Sequence, residues 1–113
     1  MNIPQDADGD AMRRVLSHGS NVYRPMNIDF MVACSNVPTA EEVMSIARSR
    51  GYSTKISVDP EDETVTCYCT KRMLLDYEAL VSAQSELDVI AEAFGGYCDG
   101  WGTFGNVSPS QQD

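Results

Sequence analysis

Apolar and polar residues recur along this chain with two different periods, and these periods predict its elements. Alternation predicts strands at 26–34, 52–58 and 64–73. Apolar residues three and four positions apart predict helices, of which the first starts near Asp8 or Asp10 and ends at Gly19. The final strand is expected at 97–104, after a pair of glycines that ends the last helix.

Capping residues refine the second and third helices. Thr39 and Glu42 have the spacing of a capping box, in which each side chain satisfies a free backbone donor, and Gly51 ends that helix. Asp76 can cap the long third helix, whose apolar stripe steps by three and four. After the first helix, the predicted order is therefore strand, helix, strand, strand, helix, strand.

This order predicts an α+β fold of the ferredoxin-like, split βαβ type. We expect a four-stranded antiparallel sheet with two helices on one face, plus an extra N-terminal helix. The 113 residues form a single predicted domain at 8–104, with flexible termini at 1–7 and 105–113.

The charge is strongly negative and unevenly distributed. The net charge is −9, and the segment from Met73 to Asp113 holds seven acids and no Lys or Arg. Nucleic acids and anionic membranes repel such a surface, so we predict neither as a direct partner. A basic protein is the partner that this charge favours. Without a signal peptide or a long apolar run, a cytoplasmic location with reduced cysteines is expected.

Residues that could carry chemistry do not form a recognisable catalytic or metal-binding pattern. Cys67 and Cys69 are separated by one residue, which is too close for the usual paired zinc ligands. His18 is the only histidine, and its place at a helix end suits the helix dipole. The prediction is therefore a protein that is not an enzyme and that uses no metal and no cofactor.

Three acids of the long helix are candidates for binding a partner. Glu86, Asp88 and Glu92 lie in its C-terminal half, where the dipole disfavours negative charge, and no cation is near in the sequence. Residues that violate local preferences are often functional. The alternative interpretation is an ordinary solvated face.

Two aromatic residues complete the candidate site. Trp101, between two glycines and after Asp99, is either a core residue whose N–H meets a backbone carbonyl or an exposed anchor for a partner. Tyr68 is predicted on the open sheet face beside Met31 and Lys55, where protein contact or a homodimer is favoured over RNA stacking.

The segment Asp99-Gly100-Trp101-Gly102-Thr103, after a long acidic helix, resembles the C-terminal signature of the RraB family, regulators of ribonuclease E activity. The segments 16–21 and 47–52 resemble the family's helix ends, and the resemblance spans roughly residues 10 to 104. Cys98 stands where the family has tyrosine, and the tail carries one acid where many members have several.

The resemblance implies a ferredoxin-like fold and a regulator that restrains RNA decay by binding ribonuclease E. It also implies contact with the arginine-rich scaffold region of that enzyme. Two alternatives stay open from the residues alone. One is a small enzyme or ligand-binding domain that uses the open sheet face, and the other is an immunity-type neutraliser of another basic protein.

Overall fold

The computed structural model describes residues 3–107, and within them the chain forms three helices and four strands. In chain order these are α1 (Ala7–Ser17), β1 (Met26–Cys34), α2 (Val37–Ser49), β2 (Ser53–Val58), β3 (Val65–Met73), α3 (Tyr77–Glu92) and β4 (Tyr97–Thr103). No helix among the described residues is long and apolar enough to cross a membrane.

The strands form one sheet in the order β2-β3-β1-β4, and each neighbouring pair is antiparallel. The two central strands, β1 and β3, are paired from Met26↔Met73 to Cys34↔Val65 without a register shift. This order, with one helix between β1 and β2 and another between β3 and β4, confirms the predicted ferredoxin-like α+β fold.

The core lies between one face of this sheet and the helices α2 and α3. Alternate residues of the central strands point into it, so the predicted division of each strand into a buried and an open face is confirmed. The largest fully buried side chain is Phe30, whose ring meets Tyr52 edge-to-face with the centroids 6.1 Å apart. Leu80 and Leu87 of α3 are fully buried against the same sheet face.

The first helix begins earlier than its apolar pattern predicts. Asp6 is its N-cap, and the Asp6 carboxylate accepts a hydrogen bond of 2.8 Å from the backbone N–H of Gly9. The helix itself starts at Ala7, so the predicted start near Asp8 is confirmed to within one residue. The cap at Asp6 was not predicted, because the first turn contains no large apolar residue.

The second helix is also capped one turn earlier than predicted. Asn36 and Thr39 form the reciprocal capping box, with Thr39 N–H to Asn36 Oδ1 at 2.9 Å and Asn36 N–H to Thr39 Oγ1 at 3.3 Å. The predicted pair of Thr39 and Glu42 was therefore wrong, because Thr39 is the last residue of the box and not its first. The predicted cap at Asp76 is confirmed, since Asp76 Oδ2 accepts from Ala79 N–H at 2.9 Å.

The extra helix α1 docks against α3. Met12 is fully buried, and the Tyr77 hydroxyl of α3 donates a hydrogen bond to the Asp6 carboxylate. The residues before α1 also make contacts, because the Arg13 guanidinium donates to the carbonyls of Ile3 at 2.6 Å and Pro4 at 3.0 Å. After β4, the Asn106 side chain donates to the carbonyls of Asn21 at 2.9 Å and Arg24 at 3.0 Å. Residues 1–2 and 108–113 of the predicted flexible termini lie outside the described residues.

Candidate functional site

The tryptophan segment forms a β-bulge in the edge strand β4. Trp101 pairs with Phe30 and Cys98 pairs with Val32, so two residues of β4 lie opposite the single residue Met31. A bulge of this kind reverses the alternation of side chains, so Cys98 and Trp101 both face the core although they are three positions apart. One of the two residues opposite Met31, Gly100, has φ +104, a conformation that L side chains rarely adopt.

Trp101 is half-buried and holds α1 against the sheet. Its indole Nε1–H donates a hydrogen bond of 3.0 Å to Asp8 Oδ1. The other carboxylate oxygen of Asp8 accepts from the Gln84 amide of α3 at 3.2 Å. The expected backbone carbonyl partner for the indole was therefore wrong, because the acceptor is a side chain of the docked helix.

Asp88 joins α3 to the start of β4. Its carboxylate accepts a hydrogen bond of 2.9 Å from the backbone N–H of Cys98. Burial raises the pKa of the Cys98 thiol, and the carboxylates of Asp88, Asp99 and Asp8 raise it further. Asp8 of α1 and Asp88 of α3 line one groove with Cys98, and Asp99 is the next residue of β4.

Glu86 points to the opposite side of α3 and is engaged within the chain. It accepts a hydrogen bond of 3.0 Å from the Tyr52 hydroxyl and forms an ion pair of 3.4 Å with Arg50. Burial raises the pKa of Tyr52, and the hydrogen bond to Glu86 raises it further. No cation lies near Glu86 in the sequence, and Arg50 at the end of α2 supplies one in the fold.

The three predicted helix acids do not share one face. Residues two positions apart on a helix differ by about 200° around its axis, so Glu86 and Asp88 point to different neighbours. Glu92 is exposed and lies one turn beyond Asp88 on the same side. Asp8 and Asp88 line one groove with Cys98, and Asp99 follows Cys98 in β4. We call these three acids together with Glu92 the acidic edge.

Tyr68 lies apart from the acidic edge. It is paired across the sheet with Met31 on one side and Lys55 on the other, as predicted, on the face away from the helices. Strand β1 separates β3 from β4, so a partner that contacts both Tyr68 and the acidic edge would have to cross the open face.

A comparison with protein-family models identifies the chain. The model described as Regulator of ribonuclease activity B matches residues 5–103, from the turn before α1 to the last residue of β4. The chain belongs to the RraB family. The suspected resemblance is therefore confirmed over residues 5–103. None of the curated proteins matches the chain.

Three concave regions among the described residues adjoin β4 in this RraB-family chain. A shallow groove of about 250 Å³ is lined by Asp8, Asp88 and Cys98. A cavity of about 530 Å³ lies between α1 and the end of β4, and its lining contains Trp101, Arg14 and His18 but no carboxylate or thiol. A third region, of about 370 Å³, is lined by Tyr97 and Asp99 of β4 and by Cys34. No group of three or more His, Cys, Asp or Glu side chains within residues 3–107 could hold a metal ion.

The residue that the sequence analysis missed is Asp8, which it read only as a possible helix start. Asp8 lies four positions before Met12 and seven before Val15, so it continues the apolar stripe of α1. An acid on the buried side of a helix needs a polar partner. The position of Asp8 on the apolar face of α1 could therefore have identified it from the sequence. The family match includes Asp8 together with the tryptophan segment.

Proposed function

We propose that this chain restrains ribonuclease activity in the cytoplasm by binding ribonuclease E, without catalysing a reaction itself. The observation that carries the proposal is that Asp8 of α1 and Asp88 of α3 line one groove with Cys98, directly before Asp99 in β4. Carboxylates grouped on one surface attract a Lys- or Arg-rich segment and increase its association rate. The family match supports a ribonuclease as the target.

The cysteines support binding over thiol chemistry. The reactive form of cysteine is the thiolate, and the pKa of Cys98 is raised by burial and by acids that disfavour it. Burial likewise raises the pKa of Cys34. The Cys67 and Cys69 side chains are fully buried with their sulfurs 3.9 Å apart, so neither thiol is accessible to a substrate.

The predicted binding residues enter this proposal with different roles. Asp88, Glu92 and Asp99 contribute the charge that a basic segment contacts, and Trp101 fixes the position of Asp8. Glu86 contributes through the packing of α2 on α3, since its carboxylate is occupied by Tyr52 and Arg50. Tyr68 belongs to a separate open-face surface.

The test is a calorimetric titration of ribonuclease E with the full chain, at low and at physiological salt. We expect saturable binding that weakens with salt, because screening reduces attraction between exposed charges. The variant Asp88→Asn, Glu92→Gln, Asp99→Asn keeps the side-chain shapes and is expected to bind roughly tenfold more weakly. Cleavage of an RNA substrate by ribonuclease E should slow when the wild-type chain is added.

A matched control removes the same charge elsewhere. Glu41→Gln, Glu42→Gln, Glu61→Gln changes exposed acids of α2 and of the β2–β3 turn, on the other half of the sheet. We expect this control to bind like the wild type. Equal weakening of both variants would contradict a localised surface and favour a general neutraliser of basic proteins. Absence of binding at both salt concentrations would contradict the proposed function.

A further inference from the structure

The edge strand β4 presents unpaired backbone groups on its outer side. It is the terminal strand of the sheet, with β1 as its neighbour on one side. The carbonyl of Asn27 accepts a 2.6 Å hydrogen bond from the Thr103 hydroxyl, so this carbonyl of β1 points toward β4. Because backbone groups alternate in direction along a strand, Asp29 of β1 also directs its N–H and C=O toward β4.

This alternation fixes which groups of β4 point outward. Asp29 is paired with Gly102, so the backbone groups of Gly102 face β1. Those of Trp101 and Thr103 therefore face away from the sheet. At the other end of β4, the N–H of Cys98 points outward too, and the Asp88 carboxylate already accepts from it. Within residues 3–107, no side chain bonds to the backbone N–H of Trp101 or Thr103.

Gly102 is not required by the packing of the chain. Its φ lies outside the positive range, in contrast to Gly100, and a Cβ built on it would meet no heavy atom within 4 Å. A glycine inside a strand is typical of a place where another backbone or a ligand comes close. Because Gly102 alternates with the core-facing Trp101, this space lies on the open face of the sheet, where a segment docked on the edge can place its own side chains.

The charge near β4 selects the kind of segment that can occupy the edge. Asp88 lies beside the start of the strand, Asp99 is in it, and Asp8 accepts from the Trp101 indole. Arg14 and His18 of α1 line the cavity at the other end of the strand, so the acids act on the part of a segment that lies toward Cys98. Residues 73–113 contain no Lys or Arg. A second copy of the chain, paired through its own β4, would bring these acids against identical acids, which is unfavourable.

We propose that an extended, Lys- or Arg-rich segment of the partner adds to the sheet as a fifth strand along Trp101–Thr103. Hydrogen bonds from the outward backbone groups hold the segment, and the acidic edge selects its charge. This inference rests on the proposed function, because the partner used in its test is ribonuclease E.

The test compares Thr103→Pro with Thr103→Val. Both variants lose the hydroxyl that bonds to the Asn27 carbonyl, but only the proline variant also loses the outward N–H. Proline is tolerated in an edge strand when its N–H side faces solvent. We expect the proline variant to bind ribonuclease E roughly tenfold more weakly than the valine variant in calorimetry.

Hydrogen exchange on the wild-type chain gives a second measurement that needs no variant. The amides of Trp101 and Thr103 should exchange rapidly in the free chain and become protected when ribonuclease E is bound. If the proline variant fails to fold, as judged by circular dichroism, this protection decides the question.

The outcomes separate the two proposals. A wild-type chain that does not bind ribonuclease E overturns the proposed function and this inference with it. Saturable wild-type binding with equal affinity of the two Thr103 variants, or with unprotected Trp101 and Thr103 amides, overturns the strand addition and leaves the proposed function standing.

Discussion

The indole of Trp101 and the carboxylate of Asp8 are joined by a hydrogen bond of 3.0 Å, although the two residues are 93 positions apart in the chain. The bond connects the extra helix α1 to the edge strand β4. Asp8 also accepts from Gln84, so one carboxylate ties α1 to the sheet and to α3. The position of Asp8 within the acidic edge therefore depends on the docking of α1.

Replacement of Asp8 should loosen this junction. Asp8→Ala leaves the half-buried indole N–H without its acceptor, and we expect a loss of about 1–2 kcal/mol in the free energy of unfolding. Asp8→Asn keeps an acceptor oxygen and should lose less than half as much. Urea unfolding followed by tryptophan fluorescence measures both. Equal stability of the alanine variant and the wild type would show that the bond contributes nothing.

The two glycines around Trp101 should respond differently to the same substitution. Gly100→Ala places a Cβ at φ +104 and should destabilise the chain by about 1–2 kcal/mol. Gly102→Ala meets open space and should leave the stability unchanged or slightly higher. Thermal unfolding of both variants checks this contrast.

Binding provides the complementary check at Gly102. If a partner backbone approaches this position, Gly102→Ala should weaken binding to ribonuclease E while the fold stays intact. Lowered stability and unchanged affinity of the Gly102→Ala variant would contradict both expectations. Gly102 would then be needed for folding and not for binding.

The fold could be predicted from the sequence because its signals are local and agree with one another. Alternation in β1 and β3, the cap at Asp76 and the glycines that end helices all act within a few residues. The bounds of α1 and α2 were less accurate. Their caps, Asp6 and Asn36, precede the apolar stripes by which the helices were recognised.

The candidate site was only partly predictable because its contacts are long-range. Glu86 was read as an unpaired acid, whereas Arg50 and Tyr52 meet it from 36 and 34 positions away. The bulge that turns Cys98 and Trp101 to the same face depends on the register with β1, which local patterns do not encode. Asp88 was identified from its charge in the C-terminal half of α3, and Asp99 from its place in the tryptophan segment. The position of Asp8 beside Asp88 depends on the docking of α1, which local patterns do not encode.

Pairing of two copies through the open sheet face stays a prediction. Tyr68 and Met31 are adjacent on that face and partly exposed, so they offer apolar contact area. If this face forms a dimer, Tyr68→Arg should convert it to a monomer, because two arginines would meet across a twofold axis. Light scattering over a range of concentrations measures the mass. A monomeric wild type at every concentration contradicts the dimer.

The buried phenol of Tyr52 predicts a loss of stability at alkaline pH. Burial raises the pKa of Tyr52 above its ordinary value, and the hydrogen bond to Glu86 raises it further. The unfolded phenol ionises near pH ~10 while the folded one keeps its proton. The stabilisation from the buried, protonated Tyr52 is therefore complete below pH ~10 and is lost as the pH rises toward the pKa of the folded chain. In that range the free energy of unfolding falls with a slope that approaches ~1.4 kcal/mol per pH unit.

Tyr52→Phe should remove this slope. The variant loses the hydrogen bond to Glu86 and should be about 1 kcal/mol less stable at neutral pH, but its stability should fall less steeply than that of the wild type between roughly pH 9 and 11. Glu86→Gln keeps an acceptor for the hydroxyl and should retain most of the slope, because burial is the main cause of the raised pKa. Urea unfolding at closely spaced pH values measures all three chains. Parallel curves for the wild type and Tyr52→Phe would show that the Tyr52 phenol ionises equally easily in the folded and unfolded chain, and that the alkaline loss comes from other groups.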